Sequence, residues 1–119
     1  MGQVTRQNRY LVKYDNGNFI SYQYPIDDYI ETISADSENT LWLGTPLGML
    51  HYDFTEWTIY DTINSPLCDN WVKYIGNDNF GNVFIATWNG ISVYNKLGII
   101  TALENERIQI PRDMILYQN

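Results

Sequence analysis

The sequence has few of the residues that carry catalytic chemistry or staple a small protein together. It contains one cysteine and one histidine, so an internal disulfide and a zinc site built on several thiolates are excluded. Its hydrophobic runs are short, and none approaches the roughly 18 apolar residues that a membrane-spanning helix needs. Its first residues are polar and lack the apolar segment of a secretory signal peptide. We therefore expect no membrane insertion by this segment.

Basic residues are also scarce. Seven Lys and Arg oppose fourteen Asp and Glu, which gives a formal net charge of −7, and the basic residues are scattered from Arg6 to Arg112. Because phosphate backbones are attracted to clustered positive charge, nucleic acid and anionic membrane surfaces are poor candidate partners. Aromatic residues, in contrast, make up 15% of the chain and include ten Tyr and four Trp. This composition favours an all-β fold, since aromatic side chains suit half-buried pleated surfaces.

An internal repeat accounts for the organisation of the chain. Residues 33–53 align without a gap with residues 75–95, at a spacing of 42 positions, and residues 14–22 resemble residues 52–60 as a partial third copy. A period of about 40 residues is typical of helical arrays and of β-propellers. Short β-rich runs separated by turn residues favour four strands in each repeat. The sequence therefore predicts β-propeller blades of four antiparallel strands.

The predicted strands give about three blades' worth of structure for the chain. They cover residues 10–15, 19–24, 30–35, 41–45, 49–53, 57–60, 72–77, 83–87, 91–94, 99–103 and 114–118. We interpret residues 1–119 as one propeller segment: part of a blade at 1–24, full blades at 28–60 and 70–104, and a C-terminal strand at 113–119.

This number of blades cannot close a ring, because closed propellers have about four to eight blades. Two alternatives remain open. In one, a possible strand at residues 3–6 gives the N-terminal blade three strands, and two chains form a six-bladed homodimer in which each C-terminal strand completes the N-terminal blade of the other chain. In the other, the chain is a piece of a longer propeller whose remainder closes the ring.

The turns that separate the strands have a local chemical explanation. Asp36 and Asp78 each begin a tight turn in which the carboxylate is expected to accept hydrogen bonds from the amides that follow. The segment at 15–18 faintly resembles a calcium-binding loop, but an Asn-Gly hairpin explains it better because the spaced carboxylates are missing. We therefore expect no metal site and no cofactor.

The two full copies share a pattern of hydrophobic, Asp, Leu-Trp, Gly-Thr, Gly and Tyr-Asp positions. These positions are Ile30, Ile33, Asp36, Leu41, Trp42, Gly44, Thr45, Gly48, Tyr52 and Asp53 in one copy and Asn70, Val72, Ile75, Asp78, Gly81, Thr87, Gly90 and Tyr94 in the next. In this pattern the repeat resembles the two-component regulator propeller repeat. The resemblance implies a propeller from the sensing region of a bacterial hybrid sensor kinase, with a periplasmic or extracytoplasmic location and often a link to glycan uptake.

Four aromatic residues follow the repeat, whereas two tryptophans depart from it. Trp42, Phe84, Trp57 and Phe19 occupy equivalent strand positions in pairs, so we expect them to pack between blades.

Two other tryptophans break the pattern, because Trp88 replaces Pro46 in a turn and Trp71 replaces Tyr29 before an innermost strand. An exposed Trp near Asn and Asp side chains suits a sugar or peptide ligand. The candidate ligand-binding residues are Tyr29, Asn70, Trp71, Trp88 and Asn89.

Glu31 and Lys73 share another innermost-strand position and either reach the central channel or flank it. No catalytic constellation accompanies these residues, since His51 has no nucleophile near it in a recognisable order and Cys68 has no basic neighbour. We therefore predict a non-catalytic recognition module, with a purely structural, dimerising propeller fragment as the alternative.

Overall fold

The computed structural model describes residues 10–102, which form ten β-strands and no helix. The strands are β1 (Tyr10–Asp15), β2 (Asn18–Gln23), β3 (Thr32–Ala35), β4 (Leu41–Thr45), β5 (Gly48–Tyr52), β6 (Trp57–Tyr60), β7 (Val72–Asn77), β8 (Val83–Thr87), β9 (Gly90–Asn95) and β10 (Gly98–Ala102). The all-β prediction is therefore confirmed for these residues. This part of the chain has no helix long and apolar enough to cross a membrane.

Sequence-adjacent strands pair into three antiparallel sheets. Strands β3 to β6 form the first four-stranded sheet, β7 to β10 form the second, and β1 and β2 form a separate hairpin. Each four-stranded sheet is a simple meander, as in a propeller blade, and the described sheets do not close into a ring. Every strand predicted between residues 10 and 102 has an observed counterpart, whereas the expected strands at 3–6 and 114–118 lie outside the described residues.

The turn between β1 and β2 shows how local sequence sets the strand register. Asp15 pairs with Asn18, and the two residues between them, Asn16 and Gly17, both have positive φ angles of 55° and 92°. This combination is the signature of a type I′ turn, which Asn-Gly favours. The hairpin interpretation of this segment is confirmed.

The two four-stranded sheets pack against each other through an apolar core. Its buried members are Trp42, Met49, Leu67, Val72, Ile75, Val83 and Ile85, with Tyr60 and Tyr94 packed against them. Gly44 lies where the sheets come closest, because a Cβ atom there would be 2.6 Å from Cγ1 of Val72 and 2.7 Å from Cγ2 of Thr32. Any side chain at this position would push β7 away from the first sheet.

Polar contacts join the first strands of the two sheets. The amide of Ile75 donates to Oγ1 of Thr32 at 3.4 Å, and Nδ2 of Asn77 donates to Oγ of Ser34 at 2.7 Å. Strands β3 and β7 therefore run side by side, so the residues that precede them also meet. This arrangement positions the candidate site.

The β1–β2 hairpin covers the other face of the first sheet. One face of the hairpin packs through Leu11 and Tyr22 against a group that includes Leu43, Leu50 and Tyr52. Phe19, on the opposite face of the hairpin, is 73% exposed and contacts Tyr14 at a ring distance of 5.1 Å.

The expectation that Phe19 packs between sheets is therefore wrong within residues 10–102, because no described sheet lies on that face of the hairpin. Trp42, in contrast, is buried between the two sheets as expected, and Trp57 is partly buried against Tyr52. Phe84 is buried with Ala86 and Val93 of its own sheet, so its packing between blades stays a prediction.

Candidate functional site

The turn between β8 and β9 presents Trp88 to the solvent. Oγ1 of Thr87 closes this turn by donating to the carbonyl of Gly90 at 2.9 Å and accepting from the amide of Asn89 at 3.1 Å. Because these contacts use none of the Trp88 side chain, the indole is free to project outward. Trp88 is 64% exposed.

A β-bulge shapes the start of β7, on the chain segment that carries Trp71. Val72 pairs with Thr87 and Tyr74 pairs with Ala86, so Lys73 is an extra residue without a partner in β8. A bulge of this kind redirects a side chain out of the regular alternation of a strand. Here it places Lys73 beside two indole rings.

Trp71 and Trp88 contact each other and enclose the Lys73 ammonium. Their ring centroids are 6.1 Å apart with an interplanar angle of 87°, an edge-to-face arrangement. Nζ of Lys73 lies 5.0 Å from the centroid of each ring. Both distances fall within the range of cation–π attraction.

Glu31, which immediately precedes β3 of the first sheet, completes this group. Its carboxylate accepts from Nε1 of Trp71 at 3.3 Å and from Nζ of Lys73 at 3.3 Å. Tyr29 lies close by, because its side chain hydrogen-bonds to Glu31. Desolvation, followed by the Glu31 and Asp28 carboxylates, raises the pKa of Tyr29 above its usual value. We call Tyr29, Glu31, Trp71, Lys73 and Trp88 the aromatic cluster.

The aromatic cluster contains three of the five sequence-predicted site residues. The other two have different surroundings: Oδ1 of Asn70 accepts from the amide of Thr62 at 2.9 Å, and Asn89 is an exposed member of the Trp88 turn. Their binding roles stay predictions.

Glu31 and Lys73 were not among the predicted ligand residues. Their equivalence in the repeat, 42 positions apart, was the available signal.

A second polar group lies in the β3–β4 turn. The Asp36 carboxylate accepts from Oγ1 of Thr40 at 2.6 Å and from Nε1 of Trp42 at 2.9 Å, and Oγ1 of Thr40 is 2.8 Å from Nε2 of His51. Because the Thr40 hydroxyl gives its proton to Asp36, His51 acts as the donor in the second contact. This direction of bonding is the reverse of that in a catalytic triad, where the histidine accepts the hydroxyl proton.

The histidine and the cysteine that catalysis could have used have structural surroundings. Burial lowers the pKa of His51, against the opposing charges of Asp36, Asp53 and Glu38. The amide of Cys68 donates to Oγ of Ser92 at 3.2 Å. Residues 10–102 contain no group of three or more His, Cys, Asp or Glu side chains placed to hold a metal ion.

Comparison with known proteins supports the fold. No protein-family model matches this chain, and no curated protein matches it. Its structure is similar to the extracellular domain assigned to a hybrid two component system of B. thetaiotaomicron, with a TM-score of 0.58 and 22% sequence identity.

This similarity covers 89% of the present chain and 16% of the length of that structure. At this level of identity the likeness shows a shared fold.

Proposed function

We propose that this chain is part of a non-catalytic sensing module whose sheets are propeller blades and whose aromatic cluster binds a glycan. The observation that carries the proposal is the contact between Trp71 and Trp88, because it fixes in place an indole that is 64% exposed. An isolated exposed Trp has no neighbouring ring to hold it in one conformation. The conformational entropy that such a side chain loses on binding would reduce the affinity for the ligand.

The cluster offers the two kinds of contact that a sugar uses. The exposed Trp88 ring supplies apolar area for the C–H face of a pyranose, and Tyr29, which hydrogen-bonds to Glu31, is a further aromatic ring, 45% exposed. Glu31 and Lys73 supply an acceptor and a donor for hydroxyl groups, with side chains 23% and 35% exposed. Since both are already held in place by Trp71 and by each other, little ordering is needed when a ligand arrives.

A sensing role outside the cytoplasm agrees with the structural neighbour, which is an extracellular domain assigned to a hybrid two component system. Absence of catalysis agrees with the chemistry of the described residues. Asp36, Thr40 and His51 are hydrogen-bonded in the direction that stabilises a turn. Glycoside hydrolysis uses a pair of carboxyl groups that flank the scissile bond, whereas the aromatic cluster as defined above has one carboxylate, Glu31, which accepts from Trp71 and Lys73.

The proposal is tested by glycan binding to the wild-type protein and to Trp88→Ala. Because Trp88 is largely exposed, we expect the variant to keep its circular dichroism spectrum and unfolding midpoint while its affinity falls at least about tenfold. Phe80→Ala is the matched control, because Phe80 is 87% exposed in the β7–β8 turn. Equal binding by wild type and Trp88→Ala would refute the proposed site.

A second candidate function is self-association, favoured by the outer face of the β1–β2 hairpin. Val12, Tyr14 and Phe19 on this face are 54%, 65% and 73% exposed, and such an apolar patch on a hairpin that pairs with no other described strand suits a partner. The occupant we propose is a second copy of the chain, which would add the blades that a closed ring needs.

Light scattering tests this candidate. A dimer would have twice the 13.9 kDa mass of the chain, and Phe19→Asp should weaken it whereas Phe80→Asp, in an exposed turn, should not. Removal of residues 114–118 should also abolish the dimer. A monomer at every concentration would overturn this candidate and favour closure by the remainder of a longer chain.

A further inference from the structure

The positive charge of the aromatic cluster is already neutralised inside the cluster. Nζ of Lys73 is 3.3 Å from Oε2 of Glu31 and lies 5.0 Å from each of the Trp71 and Trp88 rings. The bulge in β7 directs this side chain into the cluster. The ammonium keeps further N–H donors, but a ligand carboxylate that accepted from one of them would lie close to the Glu31 carboxylate and be repelled by it.

Further negative charge surrounds this ion pair. Oδ1 of Asp28 accepts from the amide of Tyr29 at 2.8 Å, so a second carboxylate lies next to the cluster. Desolvation is the largest cause of the raised pKa of the Tyr29 hydroxyl, and the Glu31 and Asp28 carboxylates raise it further. With a formal net charge of −7 on the whole chain, an anionic ligand meets repulsion both at a distance and at the site.

We infer that the aromatic cluster selects neutral oligosaccharides over oligosaccharides that carry carboxylates, and that Glu31 sets this selectivity. The inference rests on the proposed glycan-binding function and specifies its ligand class. A neutral sugar stacks on Trp88 and adds its hydroxyls to the ion pair without breaking it. A uronic acid brings an unpaired charge close to Glu31, and such an unfavourable contact is a common source of specificity.

The test uses matched pairs of sugars. Glucan, mannan and galactan oligosaccharides are titrated by calorimetry, each beside its counterpart oxidised to a carboxylate at C6, so that ring and linkage stay constant. For the sugar that binds, we expect the neutral member to bind at least about tenfold more tightly, the order expected for a partly screened unit charge a few ångströms away.

Glu31→Gln tests the role assigned to Glu31. The variant keeps a side-chain acceptor for Trp71 but removes the negative charge that neutralises Lys73, so the preference for the neutral member should fall by about tenfold. Glu56→Gln is the charge-matched control, since Glu56 is exposed in the β5–β6 turn; it should keep the wild-type preference. Unfolding curves of both variants show whether the fold is retained.

The outcomes separate this inference from the proposal on which it rests. Equal or tighter binding of the carboxylated member by wild-type protein overturns the neutral selectivity and leaves glycan binding intact. Unchanged preference in a folded Glu31→Gln protein overturns the role of Glu31. Failure of every sugar to bind overturns the proposed glycan function together with the inference.

Discussion

The two four-stranded sheets close their second turns in the same way but present different side chains there. Oγ1 of Thr45 donates to the carbonyl of Gly48 at 2.9 Å, and Oγ1 of Thr87 donates to the carbonyl of Gly90 at 2.9 Å. Each threonine hydroxyl also accepts an amide hydrogen from within its turn. Since the threonine stabilises the turn, the next residue is free to differ, and it is Pro46 in the first sheet and Trp88 in the second.

The turns at the opposite end of the sheets also share a framework. Asp36 accepts from the amides of Glu38 and Thr40, and Asp78 accepts from the amides of Phe80 and Asn82.

The difference lies in the next strand. Trp42 places an indole N–H in the core of the first sheet, and Asp36 accepts it, whereas the equivalent Phe84 has no polar hydrogen to satisfy. We therefore expect Asp36 to contribute more to the stability of the first sheet than the equivalent Asp78 contributes to that of the second.

Replacement of Gly44 by Ala should give the largest difference between the sheets. The new Cβ would lie 2.6 Å from Cγ1 of Val72, a separation that forces the two sheets apart. We expect a loss of about 3 kcal/mol in the free energy of unfolding, near the upper end for overpacked cores. Urea denaturation measures it.

The equivalent position in the second sheet is Ala86, which is the natural counterpart for this test. Ala86→Gly should cost about 1.5 kcal/mol, because it removes one buried methyl group and adds backbone freedom. Comparable losses for Gly44→Ala and Ala86→Gly would contradict the close approach of the sheets at Gly44.

Removal of the turn carboxylates should show the next largest difference. Asp36→Ala leaves the N–H of Trp42 without its acceptor, and Trp42 is 2% exposed. The expected loss is about 2 kcal/mol, against about 1 kcal/mol for Asp78→Ala. Chemical denaturation of both variants makes the comparison, and a smaller loss for Asp36→Ala would show that the indole hydrogen bond contributes little.

The sequence predicted the repeating parts of the structure because their causes are local. Alternating strands, Asp turns and the Asn-Gly hairpin follow from neighbouring residues. Phe19 was misjudged because its counterpart, Trp57, is covered by the hairpin, while no described sheet covers the hairpin itself.

The aromatic cluster was only partly predictable from the sequence. Turn position identified Trp71 and Trp88 as candidates. Their contact through Lys73 and Glu31 depends on a bulge and on how two sheets pack, and neither has a local sequence signal.

The pH dependence of stability should distinguish the sheets more subtly, because His51 of the first sheet is replaced by Val93 in the second. Burial lowers the pKa of His51 in the folded protein, so the unfolded chain binds its proton more readily. The contribution of neutral His51 to the free energy of unfolding is therefore fully present above its pKa in the unfolded chain, about 6.5. This contribution is lost as the pH falls below that pKa.

Urea denaturation between pH 7 and pH 5 measures this effect. His51 is the only histidine, so His51→Val should flatten the curve in this window. Burial raises the pKa values of Asp36 and Asp78, but the hydrogen bonds that these carboxylates accept outweigh it and lower both pKa values. The stability that these carboxylates contribute is therefore lost at more acidic pH, in the wild-type protein and in His51→Val alike. A slope that persists between pH 7 and pH 5 in His51→Val would show that His51 is not its source.

Trp88→Pro should have the smallest effect on stability of all these variants. It therefore gives the sharpest comparison between the second turns of the two sheets, because it separates the role of Trp88 in binding from any role in stability. The variant gives the second sheet the residue that the first sheet uses at this turn position, where proline suits the backbone. Because the Thr87 contacts remain, the free energy of unfolding should change by no more than about 0.5 kcal/mol. Ligand binding should nevertheless fall as in Trp88→Ala, since the exposed indole is gone. A loss of stability above about 2 kcal/mol would mean that Trp88 supports the second sheet, and its exposure would then be no reason to place a ligand there.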